Sequence, residues 1–333
     1  MHSNLLKATF ALLTFTFLLP ACQKNKNETS VPWQLAQGLG VCFGSTVGPG
    51  SDLFVPDAQA GVIYRIDAKT GARSSFASGL PTLIPQVGFG GVVDVIFIGN
   101  TAYALVTLVD DPAFPTGQVN GIYRIDGPNR FTVIADIGAF NMAHPPTGFE
   151  FELATGVLYS IDRYRGGFLV TDGHLNRVLH ITLDGEITVA RQFDNIVPTG
   201  LAVRGDIVYV AQAGPSPHRP EDGKVVLLSG KFASLLDVAS GAPLLVDVEH
   251  GPGELPFALS QGEFVAGPPG TPALPNTGSL VMVNADQTFT VVADELDIPT
   301  SLEIIGNRAY VITIEGEVWA IDNIARSPFG WPN

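Results

Sequence analysis

The chain has 333 residues, a formal net charge of −14, 46% hydrophobic and 15% charged residues, 37 glycines and 25 prolines. A chain this acidic, with no basic cluster along its sequence, repels phosphate backbones and anionic headgroups; nucleic acid is excluded as a partner, and membrane contact is expected only through a lipid. Dense glycine and proline, few charges and no amphipathic helix of useful length point to a turn-rich all-β protein with ample chain for one large core.

Lys7 followed by the apolar run Ala8 to Leu19 reads as a signal peptide over residues 1–21, because the run is too short to span a bilayer. Leu19-Pro20-Ala21-Cys22 resembles the lipobox of bacterial lipoproteins, which implies lipidation at Cys22. Residues 22–31 then form a polar tether and residues 32–333 a single domain, exported to the periplasmic or cell-surface side of a membrane, or secreted if Cys22 carries no lipid. An acylated Cys22 leaves only Cys42, so no disulfide within the mature chain is expected.

The stretch Gly156 to Val197 contains four β-rich runs separated by turn signals, an antiparallel meander. Copies of it recur. Tyr64-Arg65-Ile66-Asp67 returns as Tyr123-Arg124-Ile125-Asp126 and, more loosely, as Trp319-Ala320-Ile321-Asp322. Leu179 to Thr182, Lys224 to Leu228 and Leu280 to Val283 fill the same third-strand slot. Six units result, starting near Val41, Val92, Val157, Thr199, Pro256 and Thr300, and they predict a six-bladed β-propeller with four-stranded antiparallel blades. The last unit lacks a fourth strand, whereas Pro32 to Leu39 resembles the fourth strand of the first unit; the N-terminal strand is therefore expected to close the last blade.

In a meander propeller the second-to-third-strand loops and the blade-to-blade loops share one face. The long loops, Asp110 to Asn120, Ala213 to Asp222, Ala266 to Thr277 and the insertion Asn141 to Thr155, all fall there, and make that rim the expected working face. Together the Tyr-Arg-Ile-Asp strands, the insertion with Phe149-Glu150-Phe151-Glu152 before Val157-Leu158-Tyr159-Ser160, and the order of long loops resemble the ScyD/ScyE family of exported, NHL-like propellers. The resemblance implies a propeller outside the cytoplasm, within the wider TolB-like and gluconolactonase-like group, and implies no catalytic residue.

A lactonase-type metal site would need oxygen ligands from several inner strands. The slots after the repeat prolines hold Thr199, Phe257 and Thr300, with Cys42 and Tyr159 near other blade entries, and Asp94 is the one carboxylate found in this way. No metal and no cofactor are therefore expected. Asp172, His174 and Asn176 form the most polar second-to-third-strand loop, a ligand site or an Asx turn. His144 and His218 lie on the favoured rim without a nucleophile beside them. The candidate ligand-binding residues are thus Asp94, His144, Tyr159, Asp172, His174, Asn176, Thr199, His218 and Thr300. The expected function is binding of a small molecule or an exported protein across the long-loop face. The alternative is a lactonase or strictosidine-synthase-like enzyme working at the central channel.

Removing the lipid acceptor tests the expected anchor: Cys22→Ser should move the protein from the membrane to the soluble fraction on fractionation, and unchanged partitioning would contradict it.

Overall fold

A computed structural model describes residues 30–216, 219, 222–229, 231–267 and 270–325. The expected leader, Cys22 and His218 lie outside these residues. Six four-stranded antiparallel sheets are arranged as the blades of a propeller, as the repeats predict. The first strand in the chain, β1 (Trp33–Ala36), belongs to the last blade. Blade 1 comprises β2 (Thr46–Val47), β3 (Leu53–Asp57), β4 (Val62–Ile66) and β5 (Arg73–Ser78). Blade 2 comprises β6 (Gly91–Ile98), β7 (Thr101–Thr107), β8 (Gly121–Gly127) and β9 (Arg130–Asp136). Blade 3 holds β10 (Leu158–Tyr164), β11 (Gly167–Asp172), β12 (Arg177–Ile181) and β13 (Ile187–Gln192). Blade 4 holds β14 (Val197–Arg204), β15 (Ile207–Gly214), β16 (Lys224–Ser229) and β17 (Ser234–Ser240). Blade 5 is built from β18 (Leu245–His250), β19 (Pro256–Ser260), β20 (Gly278–Val283) and β21 (Phe289–Leu296). Blade 6 is built from β22 (Pro299–Ile305), β23 (Arg308–Thr313), β24 (Val318–Asp322) and β1.

Closure follows the expected route. Trp33 pairs with Ala320 and Ala36 with Val318, so β1 covers the outer edge of β24. The Trp33 indole donates to Asp322 at 3.0 Å, and the Arg308 guanidinium lies over its ring.

Two elements depart from the sequence reading. Unit five does not begin at Pro256: its first strand is Leu245–His250, and Pro256–Ser260 is the second strand. The likeness of Pro256-Phe257-Ala258-Leu259 to Pro198-Thr199-Gly200-Leu201 is one of composition, since both are short apolar runs entered through proline. A short helix, α1 (Ile137–Ala143), follows β9, its start capped by the Asp136 carboxylate accepting the Ala139 N–H at 2.8 Å.

Neighbouring blades pack through apolar side chains on their facing sheets. Phe54 of blade 1 meets Phe97 of blade 2 with ring centroids 4.6 Å apart, and Tyr103 of blade 2 meets Phe168 of blade 3 at 4.9 Å. Threonines beside the channel add directed links. The Thr199 hydroxyl is within bonding distance of the Ala211 carbonyl in its own blade (3.1 Å) and the Leu245 carbonyl in the next (2.8 Å). Thr300 reaches Ile312 in its own blade and Cys42 at the entry to blade 1 in the same way.

Both threonines are almost fully buried, and valine would remove the hydroxyl while keeping the shape. Thr199→Val and Thr300→Val should each lower stability by about 1–3 kcal/mol in urea unfolding, because buried carbonyls lose a donor. An unchanged midpoint would show that these links carry no stability.

Candidate functional site

The first strand of every blade is an edge strand, because nothing pairs with it on the side of the channel. Its outward N–H groups need acceptors there. Carboxylates of neighbouring blades supply several of them. Asp94 on β6 accepts the Ile161 N–H of blade 3 at 2.9 Å and the Val95 N–H at 2.8 Å. Asp162 on β10 accepts Val203 of blade 4 at 2.7 Å and Arg163 at 2.6 Å. Asp247 on β18 accepts Leu302 of blade 6 at 2.7 Å and Val248 at 2.9 Å. Glu303 on β22 accepts Val47 of blade 1 at 3.2 Å.

Two glycines make room for these side chains. A Cβ on Gly44 would lie 2.5 Å from an Asp94 oxygen, and one on Gly200 would lie 2.2 Å from an Asp247 oxygen and 2.5 Å from its Cα.

Asp94, Asp162, Asp247, Glu249 and Glu303 all line one cavity of about 730 Å³ in the channel. Ser45, Tyr159 and Ser301 share its wall, with Phe43, Ile96, Leu201 and Val203 as apolar patches. The Ser45 and Ser301 hydroxyls are 2.8 Å apart. The cavity reaches the turns that follow the first strands: Gly99, Asn100, Arg165 and Gly205 border it, with Arg163 and Arg204 close by. It therefore opens on the face of the short hairpin turns, opposite the rim of long loops.

Burial dominates the ionisation of these acids. Loss of hydration pushes Asp162 up to about 7, against the pull of its two backbone donors. Burial likewise pushes Asp247 up to about 7. Asp94, Glu249 and Glu303 are driven well above the ordinary carboxylate range, by burial first and by the neighbouring carboxylates second. Such groups donate a hydrogen bond when protonated and accept when ionised. The wall can thus bind hydroxyl and amino groups, and can hold or pass a proton near neutral pH.

The sequence-predicted residues fall into two sets. Asp94, Tyr159 and Thr300 line the cavity, although Thr300 spends its hydroxyl on two carbonyls. Thr199 fastens blades 4 and 5 and is not part of that wall. On the opposite face the polar loop is tied into the framework. Asp172 is fully buried and accepts from the Val157 and Leu175 backbones and from the Asn141 side chain at 2.7 Å, with Arg177 3.9 Å away. His174 Nε2 accepts the N–H groups of Glu152 and Leu153, both at 3.0 Å, and burial lowers its pKa, which suits the neutral acceptor. Asn176 occupies a left-handed turn position with φ 52°, as an Asx turn allows. The exposed His144 ring stacks on Phe140 and ends α1. These residues anchor the insertion before β10.

Asp162, Asp247, Glu249 and Glu303 escaped the sequence reading. A usable signal existed: Val246-Asp247-Val248 repeats Val93-Asp94-Val95. It is masked because Pro256 resembles a first-strand entry, although the first strand of blade 5 is Leu245–His250. Among the described residues no three His, Cys, Asp or Glu side chains are grouped within reach of one metal ion.

No family model matches the chain, and no curated protein matches it. Solved structures of the same fold do. The chain is similar to the PQQ-bound aldose sugar dehydrogenase of Streptomyces coelicolor (TM-score 0.60, 13% identity, 87% of this chain and 96% of that one). It is also similar to a gluconolactonase of Xanthomonas campestris (0.59, 12%, 87% and 89%). The virginiamycin B lyase of Staphylococcus aureus is a third (0.53, 12%, 88% and 98%). At these identities the likeness is one of fold.

The raised carboxyls fix the sign of a pH dependence. A folded-state pKa of about 7 for Asp162 and Asp247 lies above the ordinary value of about 3.9. Between those values the folded chain holds protons that the unfolded chain has released. Stability from these groups is fully present below about pH 4 and is lost as the pH rises through about 7. The melting temperature should fall by several degrees from pH 5 to pH 8, and the fall should shrink in Asp162→Asn. A melting temperature that rises over this range would contradict the assignment.

Proposed function

We propose that this chain is an exported, lipid-anchored propeller that binds a small organic molecule in the acidic mouth of its central channel. The observation that carries the reading is the convergence of five carboxyl groups from four blades on one cavity large enough for a small ligand. The mixed wall suits an apolar body bearing hydroxyl or amino groups. Glu249 and Glu303 are the residues assigned to hold those groups. Among the described residues Glu249 accepts no hydrogen bond from another blade, its one backbone donor being the adjacent His250 N–H at 3.3 Å. The resemblance to exported ScyD/ScyE propellers supports the location, and the leader with Cys22 supports the anchor.

The working site is then the channel and not the long-loop rim, because the rim candidates Asp172, His174 and Asn176 are committed to holding loops. A second reading, an enzyme of lactonase type, draws on the carboxyls whose pKa values lie near neutrality, since such groups suit general acid–base work. In that reading Asp162 and Asp247 exchange the proton and the cavity wall orients the substrate.

A thermal-shift screen of sugars, lactones and amines should find a ligand that raises the melting temperature of the parent protein. For an amine-bearing ligand, Glu249→Gln should weaken binding about tenfold or more in calorimetry, because the amide cannot give a proton to the amine and form the ion pair with it. Unchanged affinity in Glu249→Gln together with loss in His174→Ala would return the site to the long-loop rim.

A further inference from the structure

The cations that lie scattered along the sequence are gathered by the fold onto one face. In an up-and-down blade the ends of the first and third strands share a face with the starts of the second and fourth. Arg163, Arg165, Arg204 and Arg308 sit at the first-to-second-strand junctions. Arg65, Lys69, Arg73, Arg124, Arg130 and Lys231 sit on the third strands, the third-to-fourth-strand turns or the fourth-strand starts. Of the fourteen lysines and arginines among the described residues, only Arg177, Arg191, Arg219 and Lys224 fall toward the other face, and Arg177 is buried. That other face carries exposed acids on its loops: Asp136, Glu150, Glu152, Asp194, Glu263 and Glu315. Several of the ten cations are paired on their own face, Arg65 with Asp52, Arg165 with Asp206 and Arg308 with Asp322. Asp67, Asp126, Asp184, Glu186 and Asp286 lie on that face too, so its cations and exposed acids are close to balanced, on a molecule whose net charge is −14.

We infer that the hairpin-turn face, with the mouth of the channel, is the face turned toward an anionic bilayer when the protein is anchored; this rests on the proposed lipid at Cys22. The place where the described chain begins, Ser30, agrees. β1 runs from the turn face toward the long loops, and Trp33 at its start is held beside Asp322 and Arg308 on that face. Ser30 lies against the outer strand of blade 5, its N–H bonded to the Val292 carbonyl at 2.7 Å, which puts the entry at the rim of the disc. A tether of about ten residues reaches roughly 35 Å at most, so the disc stays close to the surface. Charge then selects its orientation. At physiological salt the surface potential of the anionic bilayer decays over about 8 Å, so only the nearer face meets it. The acidic loop face is repelled and the balanced turn face is not. The channel ligand would enter through the gap between disc and bilayer.

The test uses the full lipidated chain in vesicles of phosphatidylcholine and phosphatidylglycerol with a nitroxide-bearing headgroup lipid as quencher. A fluorophore is placed through Asn100→Cys on the turn face or Glu315→Cys on the loop face; both positions are exposed, and Cys42 is buried. Quenching at position 100 should exceed that at position 315 by at least about twofold, and the excess should shrink in Arg163→Glu/Arg165→Glu and in high salt. Equal quenching, or more at position 315, overturns the orientation. Flotation with pure phosphatidylcholine vesicles reads the anchor separately. If the chain does not float with them, the anchor reading fails, and the face is judged on the anionic vesicles alone, where equal quenching or no association overturns it.

Discussion

The structure depends on how the inner edges of six sheets are satisfied. Each blade turns an unpaired strand edge toward the channel, and N–H groups there sit too deep for water to serve freely. Asp94, Asp162, Asp247 and Glu303 answer this by accepting an N–H from the following blade. Thr199 and Thr300 make the complementary links to carbonyls. The ring is thus held from inside by side chains as well as from outside by the pairing of β1 with β24. The same arrangement fills the channel with carboxyl groups, whose burial raises their pKa values. The acidity of the channel and the cohesion of the ring have one origin.

That origin separates structural acids from those free to act. Asp94, Asp162 and Asp247 each use both oxygens on backbone donors, so their replacement loosens the joint between blades as well as the wall. Among the described residues Glu249 makes no such link, and Glu303 has a long contact of 3.5 Å to Ser45 beyond its bond to Val47. The two faces differ in the same sense. On the loop side, Asp111, Asp172 and Arg177 are buried and tie the insertion down, with Asp111 accepting from both the Thr155 backbone and its hydroxyl. On the turn side the loops are short and the cavity is open.

The architecture was legible because propeller repeats leave local marks. Tyr-Arg-Ile-Asp strands, glycine turns and the unpaired final blade reflect short-range pattern, and the third strands lie where the sequence places them. The site was less legible because it is made by contacts between residues roughly 40 to 260 positions apart. Asp94 is visible from its own strand, whereas Asp247 and Glu249 fall ahead of the fifth unit when Pro256 is taken for its start. Proline and leucine mark a strand without saying which of the four it is. Likewise the polar loop Asp172 to Asn176 looks like a ligand site in sequence. Only the fold shows that His174 accepts the Glu152 and Leu153 N–H groups of the insertion, and that Asp172 is taken up by the Val157 and Leu175 N–H groups and the Asn141 amide. The even distribution of lysine and arginine along the chain hid their collection on one face, since alternating strand direction is what sorts them.

The central claim is that ligand binds in the channel and enters from the turn face. Amide hydrogen exchange of the protein with and without a ligand found by thermal shift tests it most directly. The account predicts new protection in β10, β18 and β22 and in the turn at residues 99–100, with residues 110–120 and 141–155 unchanged. Protection confined to those long loops, with the inner strands unaffected, would contradict it.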